Sequence, residues 1–326
     1  MYFEEAICKY LEETIFPQLS PPPYGKIEIH RLVSEKPIYL FVEEGQQLLT
    51  VGKSFQYGQI PLEEAWAAAE REFSNLKMIR TKFGMCNDTY NIVAPLGDNK
   101  ELEALLVTEK ASGKLLEHYI VRAINEQRQE KLFRKLGYLA KFFTRLHQNT
   151  VTENPVSSTP PQQYLSELLE SLRSGLLDSS GVITIEKRAA PWWNKREICE
   201  QDFEVIVHGD ATPTNFFFYR NEVTGIDLER MRFADRCWDL GFLTAELKHH
   251  FLWRTGDRWA AEPFIGHFLR EYAVNLDYPR FFPIITAKLP LYMALGLLRI
   301  ARNIWLGESY RKTLVEEAGL CLEYGL

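Results

Sequence analysis

The run Val205-Ile206-Val207-His208-Gly209-Asp210-Ala211-Thr212-Pro213-Thr214-Asn215-Phe216-Phe217-Phe218-Tyr219, with Val223-Thr224-Gly225-Ile226-Asp227-Leu228-Glu229 shortly after it, organises the rest of this chain. Phe216 to Tyr219 and Val223 to Ile226 are two short apolar strands around an Arg220-Asn221-Glu222 turn, which is the pattern of a hairpin. Antiparallel pairing sets Asn215, just before the first strand, beside Asp227, just after the second. Asp210 lies five residues before Asn215, on a loop that Gly209 and Pro213 make tight. The spacing therefore predicts that Asp210, Asn215 and Asp227 converge at one end of the hairpin.

Two oxygen ligands and a further carboxylate are what magnesium-assisted phosphoryl transfer needs. Mg²⁺ prefers hard oxygen donors and is held by one or two carboxylates plus substrate phosphates. Asn215 and Asp227 can hold that metal, and Asp210 can orient an attacking hydroxyl and accept its proton.

Working outward, 38 Lys plus Arg against 44 Asp plus Glu give the 326 residues a formal charge of −6. That acidity counts against duplex nucleic acid as a partner, because phosphate binding wants a basic footprint. The five cysteines are scattered and never spaced as CxxC, so they read as reduced thiols of a cytoplasmic protein. The N-terminus lacks the basic and apolar regions of a signal peptide. The longest uninterrupted apolar stretch, Leu289 to Leu298, is shorter than the roughly 20 residues that span a bilayer, so no membrane is expected as a partner.

Residues 2–16 read as an amphipathic helix with Phe3, Ile7, Tyr10 and Leu11 on its stripe. Lys26 to Val33, Pro37 to Glu43 and Gln47 to Phe55 read as an antiparallel meander, and residues 62–80 as a helix opening after Pro61. Asn91 to Pro95 and Glu103 to Thr108 are further strand candidates. Past residue 114 the pattern turns helical, over Leu115 to Gln127, Glu130 to His147, Gln163 to Leu177 and 239–322, with Asn149 to Gln163 as a loop. A β-rich part with one long helix thus precedes a mostly helical remainder.

His208-Gly209-Asp210-x-x-Pro213-x-Asn215 followed by Ile226-Asp227 resembles the aminoglycoside phosphotransferase and choline kinase branch of the protein-kinase-like superfamily. The resemblance implies an α+β, two-lobed protein-kinase-like fold. A nucleotide-binding N-lobe of antiparallel strands would occupy 1–108, and a larger helical C-lobe with the catalytic loop and acceptor site 109–326. It implies Asp210 as the catalytic residue, Asn215 and Asp227 as metal ligands, and Mg²⁺ with ATP or GTP as co-substrate. Lys53, in Leu49-Thr50-Val51-Gly52-Lys53, matches the family's phosphate-binding lysine. Ala69-Glu70-Arg71-Glu72-Phe73-Ser74-Asn75-Leu76 resembles its Glu-x-x-x-Leu element, which selects Glu72 as the lysine's partner with Glu70 as the alternative. Leu105 to Gly113 looks like the hinge, whose backbone groups over Val107, Glu109 and Lys110 would contact the purine.

Glu229, two residues past Asp227, is either a second metal contact or a carboxylate paired with Arg230 or Arg232. Asp239 reads as a helix cap that supports the catalytic loop, and His147 and His208 as structural. Trp192-Trp193 reads as core anchoring, with the lining of an acceptor pocket as the alternative, His249-His250 as no metal pair, and Arg302 as a cation answering a buried carboxylate, with anion binding as the alternative. One departure stands out: no glycine lies between Ile27 and Phe41, where kinases carry a glycine-rich phosphate loop, and Ser34-Glu35-Lys36-Pro37 occupies that turn. The expected activity is transfer of a γ-phosphoryl group to a hydroxyl of a small molecule, by a phosphotransferase with an alcohol group as acceptor. A nucleotide-binding regulator without turnover is the alternative, and a metal phosphohydrolase ranks below both for want of Asp-x-His and Asn-His elements.

Overall fold

The structure, a computed structural model, describes residues 3–325 except 24, 33–35, 46–47, 88, 127, 195–200 and 277. Ser34 and Glu35 of the glycine-poor turn lie outside the described residues, as do Val33, Gln47 and Cys199. The chain forms two compact units, Met1–Gly113 with Thr224–Glu229, and Lys114–Val223 with Arg230–Leu326. A single cut near residue 109 does not capture the return of Thr224–Glu229 to the first unit.

In the first unit, helix α1 (Phe3–Tyr10) precedes strands β1 (Ile27–Leu32), β2 (Ile38–Glu43) and β3 (Leu48–Ser54), helix α2 (Leu62–Thr81), and strands β4 (Tyr90–Ile92), β5 (Pro95–Asn99) and β6 (Leu105–Glu109). Five strands pair in the order β1-β2-β3-β6-β5, each antiparallel to its neighbour. The expected meander is therefore the outer part of a larger sheet whose centre is β3 against β6. One face is covered by Ile7, Leu11, Ile15 and Phe16, which pack with Phe41, Leu105 and Val107. Side chains alternate along a strand, so Thr50, Gly52 and Ser54 are buried toward that core while Lys53 points to the opposite face. A Cβ on Gly52 would stand 2.8 Å from the Phe41 ring, so the close packing of β2 on β3 needs the bare glycine. Helix α2 packs on the same side as Lys53; its buried stripe is Ala65, Ala69, Glu72, Leu76 and Ile79, spaced at the helical repeat.

The second unit runs β7 (Lys114–Leu115), α3 (Leu116–Asn125), α4 (Gln129–Asn149), α5 (Thr159–Arg173), α6 (Ser179–Trp193), β8 (Val205–Val207), β9 (Phe216–Tyr219), β10 (Glu222–Gly225, its last two residues in the first unit) and β11 (Arg232–Ala234). It closes with α7 (Cys237–Thr255), α8 (Glu262–Val274), α9 (Tyr278–Ala301) and α10 (Glu308–Tyr324). Helix α5 starts four residues before the expected Gln163 because Pro160 and Pro161 fall in its first turn, where a missing N–H costs nothing. Helix α6 is absent from the sequence reading, and Asp178 caps it by accepting Gly181 N–H at 2.7 Å. Trp192 at its end is buried, with Nε1 donating to Leu322 O at 2.9 Å, so it anchors α10.

Helix α9 is the one segment among the described residues long and apolar enough, by length and composition, to cross a membrane. It packs against α7 and α10, 61% of its most apolar window is buried, and it sends two cations into the unit's interior. One of these, Lys288, bonds Asp235 at 2.7 Å and Asp202 at 3.3 Å; Asp202 in turn takes a two-pronged contact from Arg236 at 2.8 and 2.9 Å. All four side chains are nearly sealed from solvent, so each charge depends on its partners. This is how a core helix of this unit behaves.

Candidate active site

The first unit places three of the expected residues around one ammonium. Lys53 Nζ lies 2.8 Å from Glu72 Oε2, 2.7 Å from Asp227 Oδ1 and 3.3 Å from Glu229 Oε2. Glu72 is the partner because it lies on the buried stripe of α2; Glu70, two residues away, faces solvent. Glu229 also pairs with Lys36, the described end of the glycine-poor turn. The three carboxylates of Glu72, Asp227 and Glu229 each offer an oxygen within 4.8 Å of the others, and theirs is the one such group found among the described residues. Burial, with Asp227 and Glu229 adding like charge, pushes the Glu72 carboxyl up against the pull of Lys53. The three carboxylates hold the Lys53 ammonium well above its usual range despite burial.

Asp227 sits at φ +64°, in the left-handed region that a short polar side chain tolerates better than others. The segment is stitched to its unit from both sides: Val93 N donates to Gly225 O at 3.0 Å and Asn75 Nδ2 to Leu228 O at 3.0 Å. Those bonds carry the strained residue to Lys53.

Val107 and Glu109, expected at the hinge, lie in this unit too. Val107 is buried, in register between Gly52 and Gly97, with its side chain in the core under α1. Glu109 is more committed than the sequence reading expected. Its N–H donates to Ala94 O at 2.9 Å, and its carboxylate accepts Ala94 N–H at 2.8 Å. The amide is therefore spent on pairing with Ala94 and is not open to a ligand.

In the second unit, β8 pairs with β11, matching Val207 to Arg232, and delivers the chain to the catalytic-type loop. Asp239, in the first turn of α7, holds that loop: its Oδ2 accepts His208 N–H at 2.7 Å and its Oδ1 accepts Gly209 N–H at 2.9 Å. His147 adds a contact at 3.2 Å from Nε2 to Asp239, with its Nδ1 2.8 Å from the Tyr272 hydroxyl, so it buttresses the buried carboxylate. Beyond Gly209 the loop closes on itself. Thr212 N–H donates to Asp210 O at 2.8 Å, and Asn215 Nδ2 to the same carbonyl at 2.9 Å and to Asp210 Oδ2 at 3.3 Å. Asp210 and Asn215 are thus brought together, with the Asn215 amide nitrogen committed to the loop and Oδ1 left as its ligand atom.

The phosphotransferase enzyme family model matches residues 67–282, about two thirds of the chain. The chain belongs to this family. No curated protein sequence matches significantly. Among solved structures, choline kinase from Cryptosporidium parvum superposes with a TM-score of 0.62 at 11% identity, covering 99% of this chain and 94% of its own. The Plasmodium vivax ethanolamine kinase gives 0.59 at 13% identity, over 98% of this chain and 87% of its own. The ADP-bound aminoglycoside phosphotransferase APH(2'')-Ib gives 0.57 at 15% identity, over 99% and 97%. These likenesses show the fold: α+β, protein-kinase-like, antiparallel strands first and a larger helical part after.

One residue of this family member's loop escaped the sequence reading. Arg299, on α9, pairs with Asp210 Oδ1. The cation foreseen as answering a buried carboxylate was Arg302, whose buried Nε instead finds no hydrogen-bond partner among the described residues. Near the Arg299 pair, burial pushes the Glu246 carboxyl up to about 7, opposed by Arg299 and reinforced by Asp210 and Glu117. His249 and His250 have separate partners, the Tyr310 hydroxyl at 2.9 Å and Arg254 at 2.8 Å.

Proposed function

We propose that this phosphotransferase is a small-molecule kinase: it transfers the γ-phosphoryl group of ATP or GTP to an alcohol hydroxyl, in a Mg²⁺-dependent reaction. The observation that carries the reading is the Lys53 ammonium held between Glu72 and Asp227 at 2.8 and 2.7 Å, in a chain of this family. Such an ammonium, fixed by a buried carboxylate, is suited to clamp nucleotide phosphates. The backbone at the end of β6, from Val107 to Lys110, would take the purine, with the Glu109 amide excluded by its bond to Ala94.

Asn215 and Asp227 fit a hard cation, since both offer oxygen donors, and bound Mg²⁺ would neutralise and align the phosphates. The chain's own residues do the rest. Lys53 orients the phosphates, and Glu72 keeps Lys53 in place. Asp210 accepts the proton as the acceptor oxygen forms its bond to the γ-phosphorus and the bond to the bridging oxygen breaks, releasing the nucleoside diphosphate. Arg299 holds Asp210 Oδ1, so Oδ2, which carries only the 3.3 Å contact from Asn215 Nδ2, is the oxygen that takes the proton.

The test is transfer from γ-labelled ATP or GTP, with Mg²⁺, to a panel of sugars, amino alcohols, hydroxy acids, nucleosides and aminoglycosides. Asp210→Ala should lower the transfer rate by about a hundredfold or more, the usual worth of a general base. Tight nucleotide binding with no transfer to any acceptor would instead make the protein a regulator.

A further inference from the structure

A pocket of about 370 Å³ opens in the second unit beside the catalytic-type loop, within the size range of small-ligand sites. Gly209, the neighbour of Asp210, forms part of its wall, together with Arg230, Arg232, Trp238, Phe242 and Glu167. Phe242 links the pocket to the loop, because the guanidinium of Arg299, which grips Asp210, lies 5.3 Å from the Phe242 ring centre.

The charge of this wall is its informative property. Arg232 is half-buried, its guanidinium lies 4.0 Å over the Trp238 ring, and one nitrogen donates to Arg230 O at 3.2 Å. Among the described residues it forms no ion pair. The carboxylate that attracts it, Asp239, already accepts from His208 N, Gly209 N and His147. Burial pulls the Arg232 guanidinium down from its usual range, the signature of a cation that lacks full compensation. Glu167 is the one carboxylate on the wall among its described lining residues. Glu117, a further carboxylate of the unit, lies 4.0 Å from Arg254.

From this wall we infer that the pocket receives the acceptor, and that the acceptor is an anionic hydroxy compound: a carboxylate or phosphate held by Arg232, an apolar body against Trp238 and Phe242, and a hydroxyl directed to Asp210. The inference rests on the kinase reading above for the role of Asp210. A guanidinium fits a carboxylate or phosphate through two parallel hydrogen bonds, whereas a cationic amine meets like charge there.

Three probes of one shape and different charge test it: 4-hydroxyphenylacetate, tyrosol and tyramine, titrated calorimetrically into the full chain. The anion should bind at least about tenfold more tightly than tyramine, as a charge-assisted bond predicts. Arg232→Gln should erase that preference, Arg232→Lys should restore part of it, and Glu167→Gln, at an exposed position, should strengthen it. Thermal melting of each variant reports whether it is folded. Tyramine binding as tightly as the anion, no binding of the anion, or an anion affinity unmoved in folded Arg232→Gln or Glu167→Gln overturns the inference. Because this is binding, it is decided separately from turnover. Failure of labelled phosphoryl to reach any hydroxyl would sink the kinase reading while the order of the three affinities still judged the pocket.

Discussion

Replacing Gly209 by alanine strikes the catalytic-type loop at the point where its backbone has no room. Gly209 has φ +78°, and a Cβ there would stand 2.2 Å from Arg230 O and 2.9 Å from Arg230 C. Left-handed backbone costs a residue with a Cβ about 1–2 kcal/mol. The clash is with backbone rather than a flexible side chain, so one of the two segments must move by about 1 Å, at the 1–3 kcal/mol typical of overpacking. Together these give about 2–5 kcal/mol, or a fall in melting temperature of about 5–15 °C for a unit of this size.

A control separates the two contributions. Gly256, which ends α7 at φ +70°, has nothing within 4 Å of a built Cβ, so Gly256→Ala pays the conformational cost alone. Gly209→Ala should therefore lose about 1–3 kcal/mol more than Gly256→Ala in urea denaturation. It should also lose about a hundredfold in kcat, because the displaced loop carries Asp210 off line. If the two variants unfold alike and Gly209→Ala turns over within twofold of wild type, the loop is not held against Arg230 as described and the argument fails.

Two further expectations follow from buried charge. Lys288→Met removes the ammonium 2.7 Å from Asp235 and should destabilise the protein by about 3–5 kcal/mol in urea, with Asp235→Asn on top recovering at least half; additive losses would show that the pair is not coupled. Glu246, with its carboxyl raised from 4.5 to about 7, stays protonated in the folded chain at pH values where the unfolded chain has already lost the proton. Its contribution is thus present at low pH and is lost as pH rises from about 4.5 to 7, by at most about 3 kcal/mol at 1.36 kcal/mol per unit. Glu246→Gln should flatten that decline. His249 and His250, lowered by burial to about 4 and 3, act with the opposite sign as pH falls below 6.5, so the measurement is the difference between wild-type and variant stability curves. Parallel curves would remove Glu246 from the account.

Much of this was legible where one short-range rule acted alone. The hairpin follows from apolar runs around a turn, although its second strand is Glu222–Gly225, one residue earlier than the expected Val223–Ile226, and Glu72 follows from the resemblance to the family's Glu-x-x-x-Leu element. Asp239 under the loop was legible from its resemblance to the family's helix-opening aspartate, although it supports the loop from the first turn of α7 and the N-cap position is Arg236. The return of Thr224–Glu229 to the first unit was not, because it depends on bonds from Asn75 and Val93, residues far away in the chain. Helix α6 escaped because its Ser-Ser-Gly start and internal Pro191 imitate a loop, and only the Asp178 cap and the anchor of Trp192 on α10 make it a helix.

Arg299 shows most clearly where sequence reasoning stops. Arg299 and Arg302 are three residues apart, so on a continuous helix they share a face, and a rule that asks which cation faces inward cannot choose between them. The choice is made by the end of α9. The helix runs through Ala301, so Arg299 is held in its last turn, packed against α7, where its guanidinium reaches both the Phe242 ring and Asp210. Arg302 falls in the turn beyond, with its N–H donating to Arg299 O at 3.3 Å and its buried Nε without a hydrogen-bond partner among the described residues. Helix ends are the least readable boundaries from sequence, and here a boundary one residue wide decides which arginine meets the catalytic-type aspartate. The same logic makes the pocket's charge unreadable from the net −6. Arg232 comes beside the loop because β11 starts there, paired with Val207 of β8, and Arg299 because α9 ends there, and neither placement can be read from a sum of charges.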